Sequence, residues 1–145
     1  MTIEVRTRSL PGQPAAIGSA GSYTLVVDRP ADGGGDGIGF NGGQLLYLAV
    51  AGCVSNDLFR EAGALGINLH RVEVTVRGDF TGDPAVSTEV TYDVRVEGDA
   101  QTDELRELVD RVDAIAEIPN SLRRGTAVRL GRAEVTGTDR AGPGV

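Results

Sequence analysis

Polar and apolar residues alternate along four short stretches of this chain and separate into two longer apolar runs. Ile3 to Arg8 alternates, and Tyr23 to Asp28 does so less cleanly, which predicts two strands near the N-terminus. Val72, Val74 and Val76 define a third strand, and Val90, Tyr92, Val94 and Val96 a fourth. The intervening GDFTGDPA is turn chemistry. Leu45 to Val54 runs without a polar residue or alternation. It is too long for a typical strand and too short to span a bilayer, so it predicts a buried central helix. That helix begins after Asn41 as its cap and runs to about Ala64, with Gly63 and Gly66 as stop signals. Leu105, Leu108, Val109, Val112, Ile115 and Ala116 recur at helical spacing and predict a second, amphipathic helix. Thr102 is its expected cap, Asp103 and Glu104 lie in its first turn, and Pro119 is its expected end. A last strand is expected near Thr126 to Val135, and residues 138–145 read as a flexible tail. Pro11 to Ser22 and the glycine-dense Asp28 to Gly43 read as loops.

The order ββ-α-ββ-α-β, with half-polar strands and short turns, implies an α+β fold in a single domain over residues 1–145. Antiparallel sheets would carry the helices on one face. A length of 145 residues is ample for a core, and 40% hydrophobic against 24% charged residues is a globular balance.

Charge and composition then remove whole classes of chemistry. A formal charge of -7 disfavours nucleic acid and anionic membranes as partners, because both bind through clustered positive charge. All 14 basic residues are arginine, so lysine-dependent chemistry, including a P-loop or a Schiff base, is excluded. One cysteine allows no internal disulfide, and the N-terminus has no apolar leader, so a cytoplasmic location is expected. One histidine and one cysteine cannot make a zinc site from nitrogen and sulfur ligands; no metal and no cofactor is expected. His70 opens a predicted strand, and without a nucleophile elbow it reads as a surface residue. Gly37 to Gly42 matches G-x-G-x-x-G, but the preceding strand ends nine residues before Gly37 and the next strand is half polar. A dinucleotide turn needs a tight strand-to-helix connection and a sheet buried on both faces.

What remains is Cys53, the only thiol, on the central helix beneath the glycine loop. The loop GGGDGIGFNGGQL followed by an apolar helix bearing Cys53, and a later helix ending Ile118-Pro119, resemble the OsmC/Ohr family of osmotically inducible and organic-hydroperoxide-resistance proteins. The resemblance implies an intertwined homodimer whose N-terminal strands complete the partner's sheet. It implies Cys53 as a peroxidatic nucleophile that reduces organic hydroperoxides through a sulfenic acid. It also implies an arginine near the thiolate, for which Arg8 is the candidate.

Three positions depart from the family's pattern. Gly43 stands in place of its glutamate, with Gln44 next to it, and Ile118 stands in place of the resolving cysteine. The arginine position aligns only loosely on Arg8. Without a second cysteine, reduction of Cys53 would need an external thiol. Asp57, at i+4, sets a negative charge beside the sulfur, and Arg60, at i+7, lies on the same side to neutralise it. Three readings stay open: a one-cysteine hydroperoxide reductase; a non-catalytic dimer binding a small apolar or electrophilic ligand near Cys53, Phe40 and Gln44; and a merely packed thiol. Arg123-Arg124 reads as a solvated helix exit and Tyr47 as core.

Overall fold

The structure, a computed structural model, describes residues 1–138. Period-two alternation yields the expected strand pair in the middle of the chain. β4 (Leu69–Arg77) and β7 (Thr91–Gly98) pair antiparallel, with Val72 opposite Val96 and Val74 opposite Val94. Their apolar positions face inward and their polar positions outward, so each strand supplies one apolar face. Between them β5 (Phe80–Thr81) and β6 (Val86–Ser87) form a small hairpin where a plain turn was expected.

The apolar run becomes α1 (Gly42–Ala64), and it terminates as its sequence signals require. Gly66 adopts φ +70°, and the N–H of Ile67 reaches back to the Ala62 carbonyl. α2 (Thr102–Ile115) buries Leu108 and Val112. Its cap is Gln101 rather than Thr102, and the Glu104 side chain accepts the Gln101 N–H at 2.9 Å. Nor does the helix run to Pro119. Ala116 turns extended and a third helix, α3 (Glu117–Arg123), restarts there. Pro119 is tolerated in its first turn because an N–H there has no intrahelical partner to lose.

Val54, Leu58, Ala62, Leu108, Val112 and Ala116 make the core, with Val72, Val74, Tyr92, Val94 and Val96 of the β4–β7 pair packed against it. This cluster draws on no residue before Cys53. The N-terminal region instead forms a separate antiparallel sheet in the order β1 (Arg6–Ser9), β2 (Ala16–Ala20), β3 (Tyr23–Val27). Its middle strand lies inside the segment expected to be a loop. The sequence AIGSA offers one large apolar residue, and Gly18 is used because a Cβ there would meet the Val27 side chain at 3.2 Å. The sheet is tied to the rest by a bridge between Val27 and Phe40.

The expected final strand is also absent. Residues 126–135 take no strand pairing among the described residues, and Val128, Leu130 and Val135 are exposed. Its N–H and C=O groups join no ladder with any sheet among the described residues. Of the expected tail, residues 139–145 lie outside the described residues.

Candidate functional site

The glycine loop is folded around one carboxylate. Asp28 is buried and accepts the backbone N–H groups of Arg29 (2.8 Å), Asp36 (3.0 Å) and Ile38 (3.1 Å). Burial pushes its carboxyl up, but the N–H groups of Ile38, Arg29, Asp36 and Gly37 outweigh that and hold it below the usual carboxylate range. Two glycines permit the wrap: a Cβ on Gly35 would lie 2.1 Å from the Arg29 carbonyl oxygen, and one on Gly39 would lie 2.4 Å from that of Val26. Within the G-x-G-x-x-G run the Ile38 N–H is thus taken by the chain's own anion, and the Gly37 and Phe40 N–H groups by the Arg29 and Val26 carbonyls.

The loop delivers the chain to the start of α1. The Asn41 side chain accepts the Gln44 N–H at 2.9 Å, and the Gln44 side chain accepts the Asn41 N–H at 3.0 Å. Gln44 is thus engaged in starting the helix. Phe40 bridges β3 and is half exposed. Cys53 lies nine residues beyond Gln44, about 13 Å of helix rise away, so the structure does not gather these residues into one pocket within a chain. Arg8 sits on β1 opposite Ile17, exposed and without an ion-pair partner among the described residues.

Around Cys53 itself the surroundings are well defined. The thiol is half-buried at the edge of the core, packed against it but not sealed. Its polar neighbour is Asp57, with Oδ2 4.0 Å from Sγ. Asp57 is buried, and Arg60 Nη1 lies 3.0 Å from its Oδ1. Both helical neighbours anticipated from their spacing are therefore in place.

Two cavities flank this region, and neither is lined by Cys53. One, of about 500 Å³, lies against the N-terminal sheet between Val5, Tyr23, Leu25, Val27 and Leu45. The other, of about 480 Å³, lies between α1, β7 and α3, with Leu46 and Val50 on one side and Val90, Pro119, Leu122 and Arg123 on the other. Val50 stands one turn before Cys53 on the same helix.

A cluster at the rim of the second cavity escaped the sequence reading. Tyr92 donates to Asp113, and Arg123 Nη2 donates to the same carboxylate at 2.6 Å. Burial, then the Asp113 hydrogen bond, pushes the Tyr92 phenol up to about 12. The Tyr92 hydrogen bond, assisted by Arg123, holds the Asp113 carboxyl below its usual range. Arg123 is thus a solvated residue at the end of α3 that also bridges to α2. One strand, β7, and two helices, α2 and α3, contribute one member each, so no local spacing could have revealed it. Tyr47, expected in the core, stacks on Phe80 and bonds Ser87 Oγ at 2.9 Å. His70 pairs with Asp99 at 2.6 Å on the surface. Among the described residues, no three His, Cys, Asp or Glu side chains gather to hold a metal ion.

With an antiparallel α+β fold, a central helix led by a glycine loop, and a single half-buried thiol on it, family comparison becomes decisive. The family model for OsmC-like proteins matches residues 33–131. The chain belongs to the OsmC-like family. Solved structures agree on the fold of this OsmC-like chain. An OsmC-like protein from Mycoplasma pneumoniae superposes with TM-score 0.72 at 17% identity, covering 87% of this chain and 89% of that one. The organic hydroperoxide resistance protein OhrB of Bacillus subtilis gives TM-score 0.59 at 20% identity, covering 86% and 93%. The organic hydroperoxide resistance protein OsmC of Legionella pneumophila gives 0.58 at 19%, covering 85% and 90%. No curated protein sequence matches this chain. The matched span contains the glycine loop, Cys53, Asp57, Tyr92, Asp113 and Arg123, and leaves out β1, β2 and β3.

Proposed function

We propose that this OsmC-like protein is a one-cysteine, thiol-dependent reductase of organic hydroperoxides that works as a homodimer. The observation that carries the reading is the state of Cys53: the only thiol of the chain, on the central helix, half-buried beside the core instead of sealed within it. The sulfur would attack the outer peroxide oxygen, the O–O bond would break, and the alkoxide would leave as the alcohol after taking a proton. Cys53 would become a sulfenic acid. With Ile118 where a second cysteine would stand, an external dithiol would capture the sulfenic acid with loss of water, then release Cys53 as its own disulfide forms. Such a reductant fits a reducing compartment, the cytoplasm.

The dimer rests on what one chain leaves uncovered. The first half of α1, Leu45 to Val54, is apolar all round, yet Leu48 there and Phe59 further along are each 51% exposed, and the N-terminal sheet contributes nothing to the core cluster. A helix apolar on every side belongs in an interior. A second copy would cover this face, and its Arg8 is the candidate cation for the thiolate.

One observation favours ligand binding without turnover. The polar group at Cys53 Sγ is a carboxylate, and no arginine of the same chain reaches the sulfur among the described residues. Supplying tert-butyl hydroperoxide with dihydrolipoamide separates the two. Hydroperoxide consumption that continues past one equivalent and vanishes in Cys53→Ser supports the reductase. Consumption equal in wild type and Cys53→Ser assigns the site to binding.

A further inference from the structure

We infer that the β5–β6 hairpin is a strap latched onto α1 by Phe80, which sits in the space a side chain at position 43 would fill, and that this latch holds one wall of the cavity between α1, β7 and α3. Two residues per strand make a hairpin too small to keep its own place in water, so what it docks on sets its position. That partner is Tyr47 of α1. Its ring stacks on Phe80, with centroids 5.7 Å apart and planes 16° from parallel. Its hydroxyl spans the base of the hairpin, donating to the Asp79 carbonyl at 3.2 Å on one leg and meeting Ser87 Oγ at 2.9 Å on the other. The base itself is closed by the Thr88 N–H, which donates to the Asp79 carbonyl at 2.7 Å. The Asp79 N–H in turn donates to Thr88 Oγ1 at 2.9 Å.

Two glycines are fitted to this latch. A Cβ on Gly43 would lie 2.8 Å from Phe80 Cε2, and one on Gly78 would lie 2.5 Å from the Tyr47 hydroxyl oxygen. Neither glycine has a positive φ, so each position uses the missing side chain and not the backbone freedom of glycine. Moving Phe80 off Gly43 disturbs its stack on Tyr47, whose own place is fixed by its two hydroxyl contacts. Gly43 stands where the family's pattern has a glutamate. In this chain that position is one half of a steric pair, so Gly43→Glu would unseat the strap before it restored an acid.

What the latch holds is a wall. Ser87 to Val90 line the cavity of about 480 Å³, opposite Leu46 and Val50 of α1. Tyr47 follows Leu46 directly, so the contact between Tyr47 and Ser87 ties the two walls together. Arg123 of α3 holds another side of the cavity separately, through Asp113. Tyr47, Phe80 and Ser87 lie outside the core cluster, so the strap can be released with the core intact.

The test is a cycle of Gly43→Ala, Phe80→Ala and the double variant in the full-length protein. It reads amide exchange of Asp79 and Thr88 by NMR, together with the melting temperature. With Phe80 present, Gly43→Ala should speed exchange at both amides about fivefold and lower the melting temperature. With Phe80→Ala already made, the same change should leave exchange unaltered and raise the melting temperature, because alanine is the better helix former. An effect of Gly43→Ala that is the same in both backgrounds, including no effect, overturns the inference. Faster exchange at Asp79 with Thr88 unchanged overturns the claim on the cavity wall, since Thr88 lines it. No hydroperoxide enters the measurement, so the latch stands or falls independently of the proposed activity.

Discussion

Asp28 shows how little of a site's logic a sequence motif carries. The run Gly37 to Gly42 reads as phosphate-binding by its letters, yet the donors near it converge on a carboxylate nine residues upstream. Only the folded backbone reveals that partner. Because the Asp28 carboxyl lies below its ordinary value, its contribution to stability is fully present above about pH 4 and is lost as pH falls through the native value. Asp28→Asn should thus lower the melting temperature at pH 7, where the charged acceptor is lost. Between pH 5 and pH 3 its melting temperature should fall less than that of the wild type, as measured by calorimetry. Cys53 and Asp57 behave differently, because i and i+4 on a helix are neighbours by geometry. Their contact, and the Arg60 pairing, were legible from spacing alone. Tyr92, Asp113 and Arg123 were not, because their meeting depends on how β7, α2 and α3 are packed.

Among elements, the two long helices and the β4–β7 pair follow from pattern because each buries one face within its own chain. The misread elements lack such a partner. β2 is built from small residues, and its strand character comes from lying between β1 and β3. Residues 126–135 were expected as a strand and pair with no sheet among the described residues. The outer face of α1 also lacks a partner, since Leu48 is exposed within the wholly apolar stretch Leu45 to Val54. Leu48→Glu separates a monomer from the proposed dimer. On a free surface the change should shift stability by within about 0.5 kcal/mol. In the dimer it buries a charge, so sedimentation should show a species of twice the chain mass for the wild type and a monomer for the variant. A wild type sedimenting as a monomer at micromolar concentration would remove the dimer from the proposal.

At the scale of the whole molecule, an OsmC-like fold holds a single thiol at the border between its core and an uncovered face. The family's fold was recognisable from the loop, the apolar helix and the Ile118-Pro119 step after the second helix, all of which are local in sequence. Activity is not local in that way. In the proposed reductase it would depend on a cation brought to Cys53 by a second copy, which no local pattern reveals. The most direct measurement is therefore the single-turnover rate of Cys53 thiol loss with cumene hydroperoxide compared with hydrogen peroxide, using Cys53→Ser as the blank. A one-cysteine reductase requires loss at least a hundredfold faster than that of free cysteine, with preference for the organic peroxide. Loss at the rate of a free thiol, with no preference between the two peroxides, would contradict it.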